Sequence, residues 1–315
     1  MKKILLISSA FLLLLSCSKE FNYFPLTAPT SANYWTAVNN LKLYANNFYP
    51  GLPQHSDGGQ LGIYGVDNNS DNLLPNTNDA RLNGKLTVPC SGGGWDFSKI
   101  REANYFLENY QQVPTAGNEA LIGQYVGEVK FFRASYSYGL LQKFGDLPWI
   151  GSTLNPDLAE LQALDVRVKR NIIADSIIAD LDFAIANLLP KEKADPLRIH
   201  QAVAFFFPNR VCLFEGTWEK YHSGTPFGVD GSDGSQYIAL AATSAKALMD
   251  ENKYSLAPSY PLLFNQNDLS SNPEVLLWKK YNYLLGVYHD LTRAITIGGG
   301  NTGPTKSLVE SNLCT

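Results

Sequence analysis

The feature that most constrains the fold is an apolar stripe running through residues 118–144. Ile122, Tyr125, Val126, Val129, Phe132, Tyr136 and Leu140 recur at three- and four-residue intervals, the spacing that places side chains on one face of an α-helix. The stripe predicts a helix from about Asn118 to Phe144, with Gly145 suited to the left-handed conformation that ends it and Pro148 beyond. So apolar a helix needs neighbours, and the flanking sequence supplies them. Trp35, Val38, Leu41, Tyr44, Ala45 and Phe48 mark one helix, stopped at Pro50-Gly51. Trp95, Ile100, Ala103, Phe106, Leu107 and Tyr110 mark another, stopped near Pro114.

Ile173, Ile177, Leu181, Ala184 and Leu188 predict a helix over roughly Asp165 to Leu189, with Pro190 as its stop. Ile199 to Tyr221 is helical in pattern except at Pro208. A kink or break is expected there, because an interior proline costs about 3 kcal/mol. The last clear helix covers about Gln236 to Glu251, while Pro261 to Asn265 and Glu274 to Lys279 look extended or irregular. Short polar turns join these helices, and small residues such as Ala103, Ala134, Ala184 and Ala242 sit where helices must approach closely. The expected class is therefore mostly α, a tetratricopeptide-like stack of helical hairpins without a strict repeat period. Between the first two helices, Leu52 to Gly94 is dense in Gly, Asn, Asp and Pro and holds neither periodicity. It reads as a long irregular excursion, the kind of segment that often carries function.

The N-terminus is a processing segment. Lys2 and Lys3 precede an apolar run from Ile4 to Leu15, and Leu14-Leu15-Ser16-Cys17 has the form of a lipobox. The run falls short of the roughly twenty apolar residues that span a bilayer. Residues 1–16 are expected to be removed as a lipoprotein signal, leaving Cys17 acylated and residues 17–30 as a tether. Each buried CH₂ adds about 0.8 kcal/mol, so more than one acyl chain anchors stably. An ordinary secretory signal with an incidental cysteine is the alternative.

Composition excludes some partners. The 25 Lys and Arg stand against 29 Asp and Glu, without a basic block, which argues against nucleic acid. Apart from Cys17 the cysteines are Cys90, Cys212 and Cys314. They form neither a disulfide framework nor a metal motif, and a Cys90–Cys212 bridge is left open. The 17 Tyr, 16 Phe and 5 Trp suit a core, and also suit ligands with flat apolar faces such as sugars.

Several blocks, taken in order, resemble the SusD/RagB family of outer-membrane nutrient-binding lipoproteins. Trp95-Asp96-Phe97-Ser98-Lys99-Ile100 with Ala103-Asn104-Tyr105-Phe106-Leu107 is similar to a helix of that family. So are Gly127-Glu128-Val129-Lys130-Phe131-Phe132-Arg133-Ala134, the turn Phe144-Gly145-Asp146-Leu147-Pro148, and Ile178-Ala179-Asp180-Leu181-Asp182-Phe183-Ala184 leading to Leu189-Pro190. Arg210 through Trp218 and Tyr254-Ser255-Leu256 complete the series, which extends over most of Trp35 to Asn282. Ala204-Phe205-Phe206-Phe207-Pro208 departs from the family's small-residue helix. Gly303 through Glu310 resembles the opening of the family's C-terminal half, so residues 31–315 are expected to form a SusD-like helical domain lacking that half.

The resemblance implies a cell-surface, lipid-anchored outer-membrane protein that captures an oligosaccharide or polysaccharide. It implies delivery to a SusC-like TonB-dependent transporter, with no cofactor and no catalysis. Peptide capture on the same fold and a surface glycoside hydrolase are the alternatives. Within the irregular excursion Asp67, Asn69, Asp71 and Arg81 offer hydrogen-bonding groups to sugar hydroxyls, and Trp95 borders the glycines. Asn and Asp in such loops also simply make turns, and Trp95, opening a helix, also suits the core. Calcium in the loop Asp67 to Asp79 is left open. Tyr281, Tyr283 and Tyr288 beside Gly286 form a second candidate, a ligand platform or a packed strand. Glu128 and Arg133, five apart, are expected to pair between helices or at a turn rather than with each other. No HExxH, GxSxG or P-loop is present, and His222 reads as a packed or surface side chain.

Overall fold

A computed structural model describes residues 31–55, 62–77, 79–164, 166–289, 291–292 and 302–313. The expected signal, the acylated Cys17 and the tether lie outside them. Helices α1 (Ser31–Tyr34), α2 (Val38–Asn46) and α3 (Ser98–Asn109) lead to the long α4 (Glu119–Phe144). After the short α5 (Leu158–Ala163) come α6 (Arg170–Asn187), α7 (Gln201–Tyr221) and α8 (Ser235–Asp250). Two further short helices are α9 (Tyr260–Phe264) and α10 (Lys306–Asn312). The described residues contain one small antiparallel sheet, in which β1 (Leu73–Pro75) pairs with β2 (Thr302–Pro304), Leu74 opposite Gly303. No helix of the described residues is long and apolar enough to cross a membrane.

Packing follows chain order. α2 and α3 lie on α4, α4 on α6, α6 on α7, and α7 on α8, which is the helical-hairpin stack expected from sequence. Being central, α4 is buried over most of its surface, with Val129, Phe132, Ala134 and Leu141 fully enclosed. Gly145, at φ 68°, ends it. Glycine also sets the closest helix approach. A Cβ on Gly216 of α7 would fall 2.8 Å from the Gly234 carbonyl oxygen and 2.7 Å from Ile238 at the start of α8.

Three two-point arginine–carboxylate pairs fasten the stack. Arg133 on α4 meets Asp180 on α6 at 2.6 and 2.7 Å, with Lys130 at 2.8 Å from the same carboxylate. Arg170 on α6 meets Glu215 on α7 at 2.7 and 2.8 Å. Arg198, just before α7, meets Glu128 on α4 at 2.8 and 2.5 Å. Glu128 and Arg133 therefore each pair between elements. Burial alone would lower the Arg198 guanidinium, but its bonds to Glu128 raise it above the ordinary arginine value. Such pairs hold a specific arrangement only while both partners are present.

Several expectations need correction. The helix expected from Asp165 starts only at Arg170, because Val168 is extended and exchanges backbone bonds with Leu147 at 3.0 and 3.3 Å. Asp146 then accepts the Arg170 N–H at 3.0 Å and satisfies the new helix end. At Pro208 the helix does not break but runs through. Packing on both sides outweighs the lost backbone bond: Phe207 lies against Phe131 and Tyr138, and Asn209 donates to the Ala241 carbonyl at 2.8 Å. The segment expected to be irregular at Pro261 is the short helix α9, opened by that proline in its first turn. The first helix is interrupted at residues 35–37, where Trp35 is buried instead among Tyr34, Tyr44, Tyr105 and Phe106. Cys90 is exposed and Cys212 buried, and both are free thiols.

Candidate functional site

An open groove of about 660 Å³ lies where the end of α2 meets the segment after α9. Its first wall is Tyr49, Pro50, Leu52 and Gln54. Pro50 presets a 3₁₀ turn over Tyr49–Gly51, and a Cβ on Gly51 would run into the Tyr136 ring. Only glycine lets the turn press against α4 here. Leu197 forms the edge of the groove at φ 65°, an uncommon conformation for leucine that neighbouring contacts hold in place. Arg198 donates to Asn46 Oδ1 at 2.5 Å, and the Ile199 N–H donates to the Tyr49 hydroxyl at 2.9 Å.

The opposite wall is Leu277, Trp278, Lys279, Lys280 and Val287. It is tied across the sequence by polar contacts: Lys279 to Gln54 Oε1, and the His55 N–H to the Tyr281 hydroxyl at 3.0 Å. His200 bonds the Leu276 carbonyl through Nε2 at 2.9 Å. Burial lowers His200 below the ordinary histidine value, and burial with the facing His289 ring does the same to His55. Beyond the wall, Asn282 and Val287 pair across a tight hairpin that Gly286 closes at φ 70°. It presents Tyr283 and Tyr288, 84% and 50% exposed, with ring centroids 6.3 Å apart. Of the two readings of this cluster, the structure gives an exposed pair rather than a packed strand.

Apolar floor, indole, exposed phenols and amide or ammonium groups on the rim form a surface for a ligand that is flat and hydroxylated. Among the described residues lining the groove there is no Asp or Glu, so none of them supplies the paired carboxylates of glycoside hydrolysis.

The other sequence candidates lie elsewhere. Asp67 accepts from Asn72 at 2.9 Å, and Asn69, at φ 64°, turns the chain so that its N–H reaches the Leu73 carbonyl at 2.9 Å. The Asp71 carbonyl receives the Thr305 hydroxyl, fastening β2 to this loop. Arg81 is exposed in a turn built by Asp79 Oδ1, which accepts the Arg81 and Leu82 N–H groups at 2.8 and 3.1 Å. Trp95 is not in the core: it is 37% exposed, edge-on to Phe97 and Phe144, with the Arg167 guanidinium 5.1 Å from its ring. Among the described residues no three His, Cys, Asp or Glu side chains gather to hold a metal ion, at Asp67–Asp79 or elsewhere. His222 stacks on Trp218 at 4.0 Å.

Sequence reasoning missed Trp278, Tyr49 and Gln54. The available signal was a tryptophan beside two lysines and a tyrosine in an extended stretch, but nothing local brings residue 54 to residue 279.

No protein-family model and no curated protein sequence matches this chain. Solved structures do. A SusD-like carbohydrate-binding protein from Bacteroides fragilis NCTC 9343 superposes with a TM-score of 0.65 at 17% identity, over 86% of this chain and 52% of its own. A SusD homologue from Bacteroides thetaiotaomicron VPI-5482 gives 0.56 at 18%, over 78% and 50%. A laminarin-binding SusD-like protein gives 0.57 at 18%, over 77% and 51%. The chain thus spans about half the length of these structures, and what the likeness establishes is its fold: a SusD-like helical scaffold.

Proposed function

We propose that this chain is part of a surface lipoprotein that binds an oligosaccharide or polysaccharide without chemistry and passes it to a SusC-like TonB-dependent outer-membrane transporter. The observation that carries the reading is the groove, with Trp278 and Tyr49 in its walls and Tyr283 and Tyr288 beside it. Sugar C–H faces stack on aromatic rings while hydroxyls bond the Gln54, Lys279 and Lys280 head groups. The carbohydrate ligands of structural relatives support this choice over peptide capture, and the lipobox at Cys17 supports anchoring in the outer membrane.

The test is calorimetric titration of the full chain with a panel of neutral and acidic oligosaccharides and short peptides. Saturable binding of a glycan, weakened roughly tenfold in Trp278→Ala, supports the proposal. Binding confined to peptides, or release of reducing sugar, overturns it. Anchoring is tested by incorporation of labelled palmitate in cells, which Cys17→Ser should abolish. Co-purification of a TonB-dependent transporter with the tagged protein tests delivery.

A further inference from the structure

The side-chain amides lining the groove have their acceptors spent. Asn46 Oδ1 takes an N–H of the Arg198 guanidinium at 2.5 Å, and Gln54 Oε1 takes the Lys279 ammonium. The Tyr49 hydroxyl accepts the Ile199 N–H at 2.9 Å. What Asn46, Gln54, Lys279 and Lys280 have left to offer is N–H. A neutral sugar hydroxyl donates as well as accepts, whereas an ionised carboxylate or sulfate only accepts. The donor set therefore matches an acceptor-only group.

Charge points the same way. Along the extended segment side chains two residues apart share a side, which sets each ammonium beside a ring. Lys280 Nζ lies 6.0 Å from the centroid of Trp278, and Lys279 Nζ 5.2 Å from that of Tyr281. The bonded partner of Lys279 is the neutral Gln54 amide. Lys280 has Asp268 at 3.2 Å, but the two side chains are 51% and 47% exposed. Asp268 also accepts the Ser270 N–H at 2.8 Å, and its bonds to Ser270 first, then to Lys280, hold its carboxyl down at about 2. An ion pair so exposed is weak, and a ligand anion competes with it. The chain as a whole carries a formal net charge of -4. An acidic polymer is thus repelled by the surface at large and drawn to the ammonium groups of this wall.

We propose, resting on the reading of this groove as a glycan site, that it takes an anionic glycan bearing uronate carboxylates or sulfate esters in preference to a neutral one. The sugar ring lays its C–H face on Trp278 while its carboxylate or sulfate bonds Lys279 and displaces Asp268 from Lys280. An acidic peptide supplies the charge but no flat C–H face for the indole.

The test is calorimetry of the full chain against matched pairs: tetragalacturonate and its methyl ester, and a sulfated galactan tetrasaccharide and its desulfated form. The acidic member of at least one pair should bind roughly tenfold tighter than its neutral partner, and the two pairs separate carboxylate from sulfate. That preference should shrink as NaCl rises from about 20 mM to about 300 mM, while the affinity of a neutral ligand stays level. Lys279→Gln should erase the preference and Lys279→Arg should keep it, with melting curves checking that both variants fold. Asp268→Asn removes the competing carboxylate and should tighten the acidic glycan severalfold, so the result does not hang on one lysine variant. Equal affinities within both pairs, or a preference indifferent to Lys279→Gln and Asp268→Asn alike, overturns the proposal, while Trp278-dependent binding would still keep the glycan reading. No saturable glycan binding, or capture of poly-glutamate in place of every glycan, overturns both.

Discussion

Arg170 and Glu215 meet through two parallel contacts in the interior, the arginine 3% and the glutamate 0% exposed. The pair joins α6 to α7, and the guanidinium also lies 4.2 Å from the centre of the Trp218 ring. Removing one partner leaves a buried charge uncompensated, at a cost of roughly 3–5 kcal/mol. Arg170→Met and Glu215→Leu should therefore each lower the melting temperature sharply. The double variant should recover most of the loss, because the two desolvated charges disappear together. A double-mutant cycle by chemical denaturation measures this, and additive losses would contradict it.

Two glycines of similar sequence setting should respond with opposite sign. Gly216→Ala drives a methyl into the Gly234 backbone and Ile238, and should cost about 1–3 kcal/mol by overpacking. Gly139 is exposed on α4 and a Cβ there meets nothing within 4 Å. Gly139→Ala should stabilise by roughly 0.5–1 kcal/mol through helix propensity. Thermal melts of the two variants settle the pair.

How much of this was legible beforehand differs by element. The span of α4 followed from its stripe and from Gly145, because periodicity and a glycine stop are local properties. The start of α6 was not legible, since Val168 answers to Leu147 and the Arg170 N–H to Asp146 across the intervening chain rather than to their neighbours. Pro208 was read correctly as a local penalty, but its cost is outweighed by contacts with Phe131, Tyr138 and Ala241 that the local sequence does not reveal. Tyr283 and Tyr288 were visible as an aromatic pair. The groove itself was not, because Trp278 and Tyr49 come to line it together only through ties such as His55 to Tyr281, 226 residues apart in the chain.

Acid should loosen one wall of that groove. His200 donates through Nε2 to the Leu276 carbonyl, and its Nδ1 is buried without a partner. Protonating Nδ1 would bury an unbonded N–H, consistent with its lowered value. A histidine lowered in the folded state binds its proton more readily when unfolded, so the unfolded chain takes up more protons on acidification. Stability is thus full above the ordinary histidine value, about 6.5, and falls as pH drops through it toward the lowered folded value. Melting curves between pH 8 and pH 5 should show this loss, and His200→Gln should flatten it.

Trp278 and Tyr283 should carry glycan affinity in unequal shares. The indole sits in the groove wall, half-buried, where a stacked sugar ring displaces water from both faces of the contact. Aromatic contacts of this kind contribute about 0.5–1.5 kcal/mol beyond burial, so Trp278→Ala should weaken binding roughly tenfold. Tyr283 stands outside the groove and largely in solvent, which predicts a smaller loss, about threefold. Asp67→Ala and Arg81→Ala alter turns on a separate loop and should leave affinity unchanged. Calorimetry with one responsive oligosaccharide ranks all four variants. Loss in the loop variants with none at Trp278 would move the binding surface from the groove to the 67–81 loop, because a side chain that contacts no ligand has no differential energy to lose.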